Sequence, residues 1–354
     1  MRIAVISYEF PPNVGGISEY VGQVAWRLAQ KHEVGVWAPP PYAPLPGNEA
    51  LPSTPYQRFD MPRTLWGLRH ALARWRPDRI LVGHTELPLL AAAWLVARTR
   101  YMAIAYGNDF LGAQRTWHRP LVNYLLAHAR PLITISQSSA RRLHMLGIPN
   151  PVVIYPGTDP QRFHPPDAPP AGPFTLLSVG RLVPRKGVDT AIRALARLRK
   201  ANADLLYLIA GRGPERPRLQ RLARDLGVEE HVRFLGGVSS SDLPDVYRRA
   251  HVFVLPLREE SQADSVEGFG MVFLEAAATA IPSVAGNSGG AAEAVRDGET
   301  GFLVPPSNVD AVAEAVQRLL DDEVLRLEMG HNGRRWVEEE MNWDRVVRDF
   351  EHWL

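Results

Sequence analysis

YPGTDPQRFHPPDAPPAGP, residues 155–173, contains seven prolines. Proline lacks the backbone N–H that helices and central strands need, so this segment predicts a linker. On both sides of it, short aliphatic runs alternate with amphipathic segments. Near-continuous apolar strands that alternate with helices are typical of a parallel sheet covered on both faces. The sequence therefore predicts an α/β protein with two doubly wound, Rossmann-like domains joined by a proline-rich hinge.

The predicted elements follow from the periodicity of the apolar residues. Six strands are expected before the linker, at 3–7, 34–38, 79–83, 101–107, 132–136 and 152–156, and six after it, at 174–180, 205–211, 232–236, 252–256, 282–286 and 301–305. Helices are expected at 18–30, 188–200, 215–226, 242–250, 270–280, 308–320 and 323–340. A last amphipathic helix begins at an Asn342 cap and could pack on either domain. Ligands of such sheets bind beyond the carboxyl ends of the strands, so we expect a site in a cleft between the domains.

Composition narrows the class of protein. The chain has 354 residues, which suits two domains, and 45% hydrophobic residues, as in a globular protein. It has no cysteine, which excludes disulfides, thiol nucleophiles and Cys-bound metals. The N-terminus lacks the pattern of a secretory signal, and no apolar run is long enough to span a bilayer. We expect a cytoplasmic protein. Peripheral association with the inner face of the membrane is a further hypothesis.

Charge is distributed unevenly along the chain. Residues 1–165 hold 17 Lys and Arg against 9 Asp and Glu, whereas the remainder holds 23 against 29. A basic first half favours an anionic surface or acceptor, although ordinary scatter in an arginine-rich protein explains the difference equally well. Lysine is rare: only Lys31, Lys186 and Lys200 occur.

The first chemical motif is SVGRLVPRKG, residues 178–187. Arg181 follows a predicted strand directly, and Lys186 precedes the next helix. Arginine can bind phosphate oxygens in a fork and lysine acts as a point charge, so the pair suits a diphosphate. A solvated loop with spare positive charge is the alternative.

The second motif is EGFGMVFLE, residues 267–275. Gly268 and Gly270 permit a ligand to approach the backbone, and the helix that follows directs its free N–H groups toward a phosphate. Glu267 and Glu275 can each accept hydrogen bonds from sugar or ribose hydroxyls. The alternative is purely structural. Glu267 would then be a charge at the helix N-terminus, and Glu275 would belong to an ion pair.

Similar glycine-rich turns follow other strands, at AGRGP (210–214), GNSGGAAEAV (286–295) and PPNVGGISEYV (11–21). A single Gly-x-Gly such as AGRGP is equally typical of a tight turn. The sequence contains no Asp-x-Asp, no His/Glu metal spacing and no phosphate-binding loop of the Gly-x-x-x-x-Gly-Lys type. We therefore expect no metal and no cofactor beyond a phosphorylated substrate.

Together these motifs resemble the family 4 retaining glycosyltransferases of the GT-B fold, in the family's order and through nearly the whole chain. The resemblance implies two domains, 1–165 with about 342–354 for the acceptor, and 166–341 for the nucleotide-sugar donor. It implies that the last helix crosses back to the first domain.

The family's functional residues map onto matching positions. The resemblance implies catalytic roles for Arg181, Lys186, Glu267 and Asp109. It implies a donor site of Gly15, Gly16, Gly180, Arg181, Lys186, Gly211, Val238, Glu267, Gly268, Phe269, Gly270, Met271, Val272 and Glu275. In this mapping, Arg181 and Lys186 neutralise the leaving diphosphate, Glu267 contacts the transferred sugar and Glu275 binds the ribose. Gly16 brings a backbone amide of the first domain to the diphosphate.

One position departs from the family pattern. Where the family commonly has His-Gly-x-Asp/Glu, this chain has YGND, residues 106–109. Tyr106 takes the place of the histidine and can donate a hydrogen bond but carries no charge at neutral pH. Tyr106 and Asn108 are therefore candidate contacts for the sugar or acceptor, and Asp109 keeps the acidic position.

Within the family, residues 267–295 look most like bacterial mannosyltransferases that modify phosphatidylinositol mannosides. This favours GDP-mannose as donor and a lipid-linked or glycan acceptor, with no role for nucleic acid; UDP-glucose and UDP-N-acetylglucosamine remain open. RTLWGLRHALARWR, residues 63–76, could lie on an anionic bilayer or, as we favour, pack on the sheet with a solvated arginine face. A nucleotide-sugar epimerase or hydrolase and a non-catalytic binding module are the competing functions.

Overall fold

In a computed structural model, the described residues are 1–13, 15–40, 54–98, 100–114, 116–200, 204–259 and 267–354. They form two units: unit 1 is Met1–Pro156 with Trp343–Leu354, and unit 2 is Gly157–Asn342. None of the helices in these ranges is long and apolar enough to cross a membrane.

Unit 1 is built on one parallel sheet. Its described strands are β1 Arg2–Ile6, β2 Glu33–Ala38, β3 Gln57–Asp60, β4 Arg79–Val82, β5 Tyr101–Ala105, β6 Leu132–Thr134 and β7 Val152–Val153. Their order in the sheet is β3-β2-β1-β4-β5-β6-β7. The helices are α1 Gly16–Leu28, α2 Leu65–Trp75, α3 Leu87–Ala97, α4 Asn108–Ala113, α5 Arg119–His128 and α6 Gln137–Met145. The order starts from a central β1 and winds in both directions, as the sequence predicted.

β5 and β6 end two residues before the predicted bounds, and two edge strands differ more from the prediction. β3 was missed, because its sequence QRFD is short and its residues are exposed or half-buried at the sheet edge. β7 ends at Val153, whereas the prediction continued to residue 156. Both differences lie at sheet edges, where apolar runs are weakest.

The core of unit 1 joins the central strands to one helical layer. Buried side chains of α2, α3 and α5, such as Leu68, Leu90 and Leu125, share a single apolar cluster with Ala4 and Ile6 of β1. Neighbours in a strand point to opposite faces, so Ile3 and Val5 face the other side.

Unit 2 has a second parallel sheet. Its strands are β8 Phe174–Val179, β9 Leu205–Ala210, β10 Val232–Gly236, β11 Val252–Leu255, β12 Ser283–Gly286 and β13 Gly301–Val304, in the order β10-β9-β8-β11-β12-β13. Its helices are α7 Val188–Leu198, α8 Arg216–Asp225, α9 Leu243–Tyr247, α10 Met271–Ala278, α11 Val309–Asp321 and α12 Glu323–Glu339. Short 3₁₀ turns lie at Pro184–Lys186, Glu229–His231 and Gly289–Glu293. These six strands are the six that the sequence predicted after the linker.

The division between the units falls after Pro156, earlier than the predicted boundary at residue 165. Thr158 pairs with Asn342 in an isolated bridge, and its N–H donates to the carbonyl of Met341 at 2.9 Å. Phe163 is buried, with its ring edge against Tyr247 at 5.6 Å. The start of the proline-rich segment therefore packs as part of unit 2.

The last helix, α13 Trp343–Glu351, belongs to unit 1 although it follows unit 2 in the chain. Its buried Trp343 and Phe350 pack against Tyr20 of α1, with ring centroids 5.8 and 6.1 Å away. Lys31 and Glu351 form an ion pair at 3.0 Å at the end of the same contact. The predicted return of this helix to the first domain is confirmed.

Candidate functional site

Predicted donor residues collect at one edge of the sheet in unit 2. Strands β10, β9, β8 and β11 are parallel neighbours, so their carboxyl ends share that edge. Val238 follows β10, Gly211 follows β9, the loop 180–186 follows β8, and residues 267–275 follow β11. The sheet order thus explains how segments distant in sequence supply one site.

Packing of the backbone explains why residue 211 is a glycine. A Cβ at this position would lie 1.8 Å from the carbonyl oxygen of Gly180, and its φ of 149° is one that side chains disfavour. Its N–H donates to the carbonyl of Gly236 at 2.7 Å. The glycine lets three strand-end loops pack side by side, which accounts for AGRGP as a tight turn.

The GNSGG turn supports the turn that carries Glu267. The N–H of Gly290 donates to the carbonyl oxygen of Glu267 at 3.2 Å. A Cβ on Gly290 would lie 2.0 Å from the carbonyl oxygen of Gly268. Any side chain at residue 290 would push the two turns apart, so this glycine keeps the backbone of the Glu267 turn in place.

Glu267 is the centre of an ion cluster. Lys186 Nζ lies 2.9 Å from Glu267 Oε2, and Arg185 Nη1 donates to the same oxygen. Both cations are more than nine-tenths buried, since Arg185 is 9% exposed and Lys186 7%. The 3₁₀ turn Pro184–Lys186 places the two cations side by side.

The cluster carries more positive than negative charge. Burial lowers the pKa of Lys186, and the nearby Arg185 and Arg181 act in the same direction, against the attraction of Glu267. Burial alone would raise the pKa of Glu267, but Lys186 and Arg185 outweigh it and hold that pKa below its ordinary value. Arg185 and Lys186 beside one carboxylate, with the charge of Arg181 acting on Lys186, leave a positive surplus that suits a diphosphate.

Arg181 differs from its two cationic neighbours because its side chain is exposed. Within the described part of the chain it has no ion pair. It lies in the loop after β8, as predicted, and its charge acts on Lys186.

Glu275 is held by a residue that the sequence did not reveal. Its Oε2 accepts a hydrogen bond from the hydroxyl of Tyr247 at 2.6 Å, and the same hydroxyl lies 3.3 Å from the carbonyl of Val272. Burial raises the pKa of Tyr247 well above its ordinary value, and the Glu275 carboxylate adds to this. Tyr247 therefore stays protonated and fixes the half-buried carboxylate.

Helix α10 begins between the two glutamates. Gly270 has φ 91°, in the left-handed region, and no side chain caps the helix that starts at Met271. The first N–H groups of a helix lack intrahelical acceptors, which gives this end a partial positive charge. Phe269 is 1% exposed, so it anchors the turn in the core while its backbone remains in the loop.

In unit 1, the YGND segment lies at the carboxyl end of β5. The Asp109 carboxylate accepts hydrogen bonds from the N–H groups of Tyr106 and Gly107 at 3.0 and 2.9 Å and from Thr85 Oγ1 at 3.0 Å. These three donors give Asp109 the geometry of a group that holds the turn. Asn108 is the first residue of α4.

Tyr106 is 6% exposed, and its hydroxyl has no hydrogen-bond partner among the described residues. Its ring lies edge-on to Tyr20, with centroids 5.8 Å apart. Burial and the neighbouring Tyr20 raise its pKa well above the ordinary value, so the phenol remains a neutral donor. An unpaired buried hydroxyl is costly, which makes a substrate partner a reasonable expectation.

Gly15 and Gly16 stand at the start of α1, after β1. Gly15 is the cap residue and offers no side chain, and Glu9 Oε2 lies 3.4 Å from where its Cβ would be. The predicted approach of Gly16 to a diphosphate bound by unit 2 stays a prediction.

Two residues of the site were missed from the sequence, Arg185 and Tyr247. Arg185 had a signal, because it adjoins Lys186 in PRKG. Tyr247 lies 28 residues before Glu275 and had none. In the ranges that the structure covers, no group of three or more His, Asp or Glu side chains could hold a metal ion.

Comparisons with known proteins identify the family. Residues 14–162 match the family described as Glycosyltransferase Family 4, and residues 160–336 match Glycosyl transferases group 1. The GDP-mannose-dependent alpha-(1-6)-phosphatidylinositol monomannoside mannosyltransferase of Mycobacterium tuberculosis is 32% identical, over 98% of this chain and 96% of its own. A glycogen synthase of the same species is 31% identical, over 98% and 92%.

Solved structures show the same fold. Sucrose-phosphate synthase of Thermosynechococcus elongatus has a TM-score of 0.81 at 23% identity, with 99% of this chain and 97% of that one covered. HepE of Anabaena, solved in complex with UDP, has a TM-score of 0.80 at 20% identity, with 99% of each chain covered. The chain therefore belongs to the group 1/family 4 glycosyltransferases, has the GT-B fold that the resemblance implied, and transfers a sugar from a nucleotide sugar.

Proposed function

We propose that the enzyme transfers mannose from GDP-mannose to a hydroxyl of a lipid-linked or glycan acceptor, with retention of anomeric configuration and without a metal ion. The observation that carries the proposal is the surplus of cations around Glu267. Mannose is favoured because relatives that are 31–33% identical over nearly their whole length are named as GDP-mannose-dependent mannosyltransferases.

The cations act on the leaving group. As the bond between C1 of mannose and the diphosphate breaks, negative charge grows on the diphosphate oxygens. Lys186 and the exposed Arg181 bind those oxygens, and the N-terminal end of α10 adds backbone N–H groups. Fixed cations and amides supply the positive charge that a metal ion supplies in other transferases, which is why we propose a metal-independent reaction.

The two glutamates bind hydroxyl groups. Glu275, oriented by Tyr247, accepts hydrogen bonds from the ribose. When diphosphate oxygens take over part of the charge of Lys186, Glu267 keeps Arg185 as its partner and accepts a hydrogen bond from a mannose hydroxyl. The cluster thereby couples nucleotide binding to the sugar position.

Retention follows from attack on the face that GDP leaves. The acceptor oxygen bonds to C1 as the C1–O bond to the diphosphate breaks, and the acceptor proton passes to the departing diphosphate oxygen. We assign Asp109 a positioning role, because three donors of unit 1 bind its carboxylate. Tyr106 then offers its unpaired hydroxyl to the sugar or acceptor.

A second candidate is transfer of glucose or N-acetylglucosamine from a UDP-sugar. Tyr106 stands where the family commonly has histidine, and a 31% identical relative is named glycogen synthase. A nucleotide-sugar epimerase or hydrolase of the same fold differs in needing no acceptor, so product formation without acceptor distinguishes it.

The first experiment is calorimetric titration of the protein with GDP, UDP and ADP in the presence of chelator, repeated with Mg²⁺. We expect GDP to bind most tightly, with an affinity that Mg²⁺ does not change. Preference for UDP or ADP would discard mannose as the favoured sugar, and binding that requires Mg²⁺ would overturn the metal-free mechanism.

The acceptor is tested separately. The mannosyltransferases among these relatives are named for a phosphatidylinositol monomannoside, and unit 1 contains most of the basic first half of the chain. We therefore propose a lipid-linked acceptor met at the membrane surface. Transfer of labelled mannose to a mannosylated phosphatidylinositol in vesicles should exceed transfer to methyl mannoside, and equal rates would favour a soluble glycan.

A further inference from the structure

Two segments of unit 2 are joined by ion pairs at two places. The first segment is the loop after β8 with the start of α7, and the second follows β11, the neighbour of β8 in the sheet. In the donor site, cations of the first segment bind Glu267 of the second. The other ion pair has the charges exchanged, because Arg258 comes from the segment after β11 and Asp189 from the first turn of α7.

The Arg258 guanidinium binds both oxygens of the Asp189 carboxylate. Nη1 donates to Oδ1 at 2.9 Å and Nη2 to Oδ2 at 3.2 Å. A fork of this kind fixes the relative orientation of two groups as well as their distance. Only 20% of the Arg258 side chain and 17% of the Asp189 side chain are exposed, so salt and water screen this pair less than a surface pair.

The backbones of the two segments are also in direct contact. The N–H of Arg258 donates to the carbonyl oxygen of Arg185 at 2.9 Å. Gly187, with φ 68°, separates Lys186 from α7, and a Cβ on this glycine would lie 2.1 Å from the carbonyl oxygen of Pro256. Arg258 therefore holds the turn of the two cations from both sides, by its backbone before the glycine and by its side chain at α7.

A role in helix stability alone is the alternative for Asp189, because an acidic residue in the first turn stabilises a helix. That role needs no partner from another loop, whereas Asp189 binds Arg258 and also lies 3.3 Å from Arg218 of α8. Burial would raise the pKa of Asp189, but Arg258 and Arg218 outweigh it and hold that pKa below its ordinary value. The carboxylate thus stays charged and paired at neutral pH.

We infer that Arg258 and Asp189 form a positioning pair for the cations that bind the leaving diphosphate. When a diphosphate draws Lys186 toward itself, the contact between Lys186 and Glu267 weakens and no longer joins the two segments as firmly. The Arg258–Asp189 pair does not depend on that contact, so it keeps the turn in place while the charge on the diphosphate grows. This inference rests on the proposed roles of Lys186 and Glu267, and not on the choice of mannose.

The first test is Arg258→Gln, which removes the charge and the fork. It should lower kcat about tenfold to a hundredfold, since a misplacement of about 1 Å has an effect of this size. Arg258→Lys keeps the charge without the fork and should recover part of kcat.

The control is Arg326→Gln in α12. The Arg326 side chain is 12% exposed, pairs with Glu323 and lies over Phe174, the first residue of β8, whereas the donor site is at the other end of that strand. The control should leave kcat unchanged, and urea unfolding measures the stability of both variants. If Arg258→Gln also leaves kcat unchanged, whatever its effect on stability, the pair is merely structural and the inference is overturned.

The second test asks whether the pair acts through the cations. In a Lys186→Ala background, Arg258→Gln should lower kcat by a factor several times smaller than in the parent, because the positioned group is gone. Asp189→Asn together with Arg258→Gln should cost no more than the larger of the two single losses. Equal factors in both backgrounds, or a combined loss equal to the product of the single losses, would contradict the inference.

Lys186→Ala also separates this inference from the proposed function. A large loss of kcat in Lys186→Ala with none in Arg258→Gln would overturn the positioning pair and leave the proposed donor site intact. No loss in Lys186→Ala would overturn the proposed role of Lys186 and, with it, the positioning pair.

Discussion

Lys186 and Glu267 join two loops of the donor site, with Nζ 2.9 Å from Oε2. Arg185 donates to the same oxygen, so one carboxylate oxygen serves two cations. In this arrangement the carboxylate balances part of the charge that a diphosphate would meet. A substitution of either residue should therefore affect both the binding of the nucleotide and the position of the sugar.

Lys186→Ala should lower kcat about a hundredfold to a thousandfold, because it removes a fixed cation that stabilises the leaving diphosphate. It should also weaken GDP binding in calorimetry. Lys186→Arg restores the charge and should recover part of both. Unchanged kinetics in the alanine variant would remove Lys186 from the site.

Arg185→Ala should lower kcat for transfer more than it weakens GDP binding. In our proposal Arg185 keeps the Glu267 carboxylate in place after the diphosphate has engaged Lys186, so it acts on the sugar rather than on the nucleotide. Steady-state kinetics and GDP titration on the same preparation measure the two effects. A parallel loss in both would mean that Arg185 binds the diphosphate directly.

Tyr247→Phe removes the donor to Glu275 and should weaken GDP binding about tenfold, since a hydrogen bond to a charged group contributes roughly 1.5 kcal/mol. The matched probe is 2′,3′-dideoxy-GDP, which lacks the ribose hydroxyls. If Glu275 binds those hydroxyls, the substitution should cost little with the dideoxy nucleotide. The same loss with both nucleotides would make the Tyr247–Glu275 pair merely structural.

Tyr106→Phe distinguishes a functional hydroxyl from a packing residue. The hydroxyl has no partner among the described residues, so its removal should leave the free energy of unfolding unchanged or raise it by about 1 kcal/mol. Transfer should nevertheless slow. Full activity together with unchanged stability would show that only the ring of Tyr106 matters.

The free energy of unfolding at acid pH should depend on the ion pairs of Glu267. The pKa of Glu267 is held below its ordinary value in the folded protein, whereas in the unfolded chain it returns to about 4.3. As pH falls, the unfolded state takes up this proton first. The stabilisation, complete above the unfolded pKa, is therefore lost as pH falls through the folded pKa.

Glu267→Gln isolates this contribution, because other carboxyl groups titrate in the same range. Urea unfolding of the parent and the variant should differ most at neutral pH, and the difference should shrink between about pH 5 and pH 3. A difference that stays constant over this interval would show that folding does not shift the pKa of Glu267.

The fold could be predicted because buried parallel strands leave long apolar runs. All six strands of unit 2 and most of unit 1 were visible in this way. The edge strand Gln57–Asp60 was not, since a partly exposed strand has no reason to be apolar. The boundary was placed too late because Phe163 and Thr158 lie in a proline-rich segment but pack on unit 2.

The site was predictable where one motif supplied both position and chemistry, as for Lys186 and Glu267. The site was not predictable at positions where a side chain is held by a residue of a different helix or strand. Nothing in the sequence near Tyr247 indicates that its hydroxyl meets Glu275. Asp109 was expected from the resemblance to be catalytic, but only the three-dimensional arrangement shows that its oxygens accept hydrogen bonds from Tyr106, Gly107 and Thr85.

The discontinuity of unit 1 has a consequence for synthesis on the ribosome. Trp343 and Phe350 cover Tyr20, yet they are made only after all of Gly157–Asn342 has been translated. At about 5–20 residues per second, the nascent first unit waits tens of seconds with the ring of Tyr20 uncovered. Unit 2 is continuous, and its last residue, Asn342, is made before any residue of α13. The unit translated first is therefore the last to be finished.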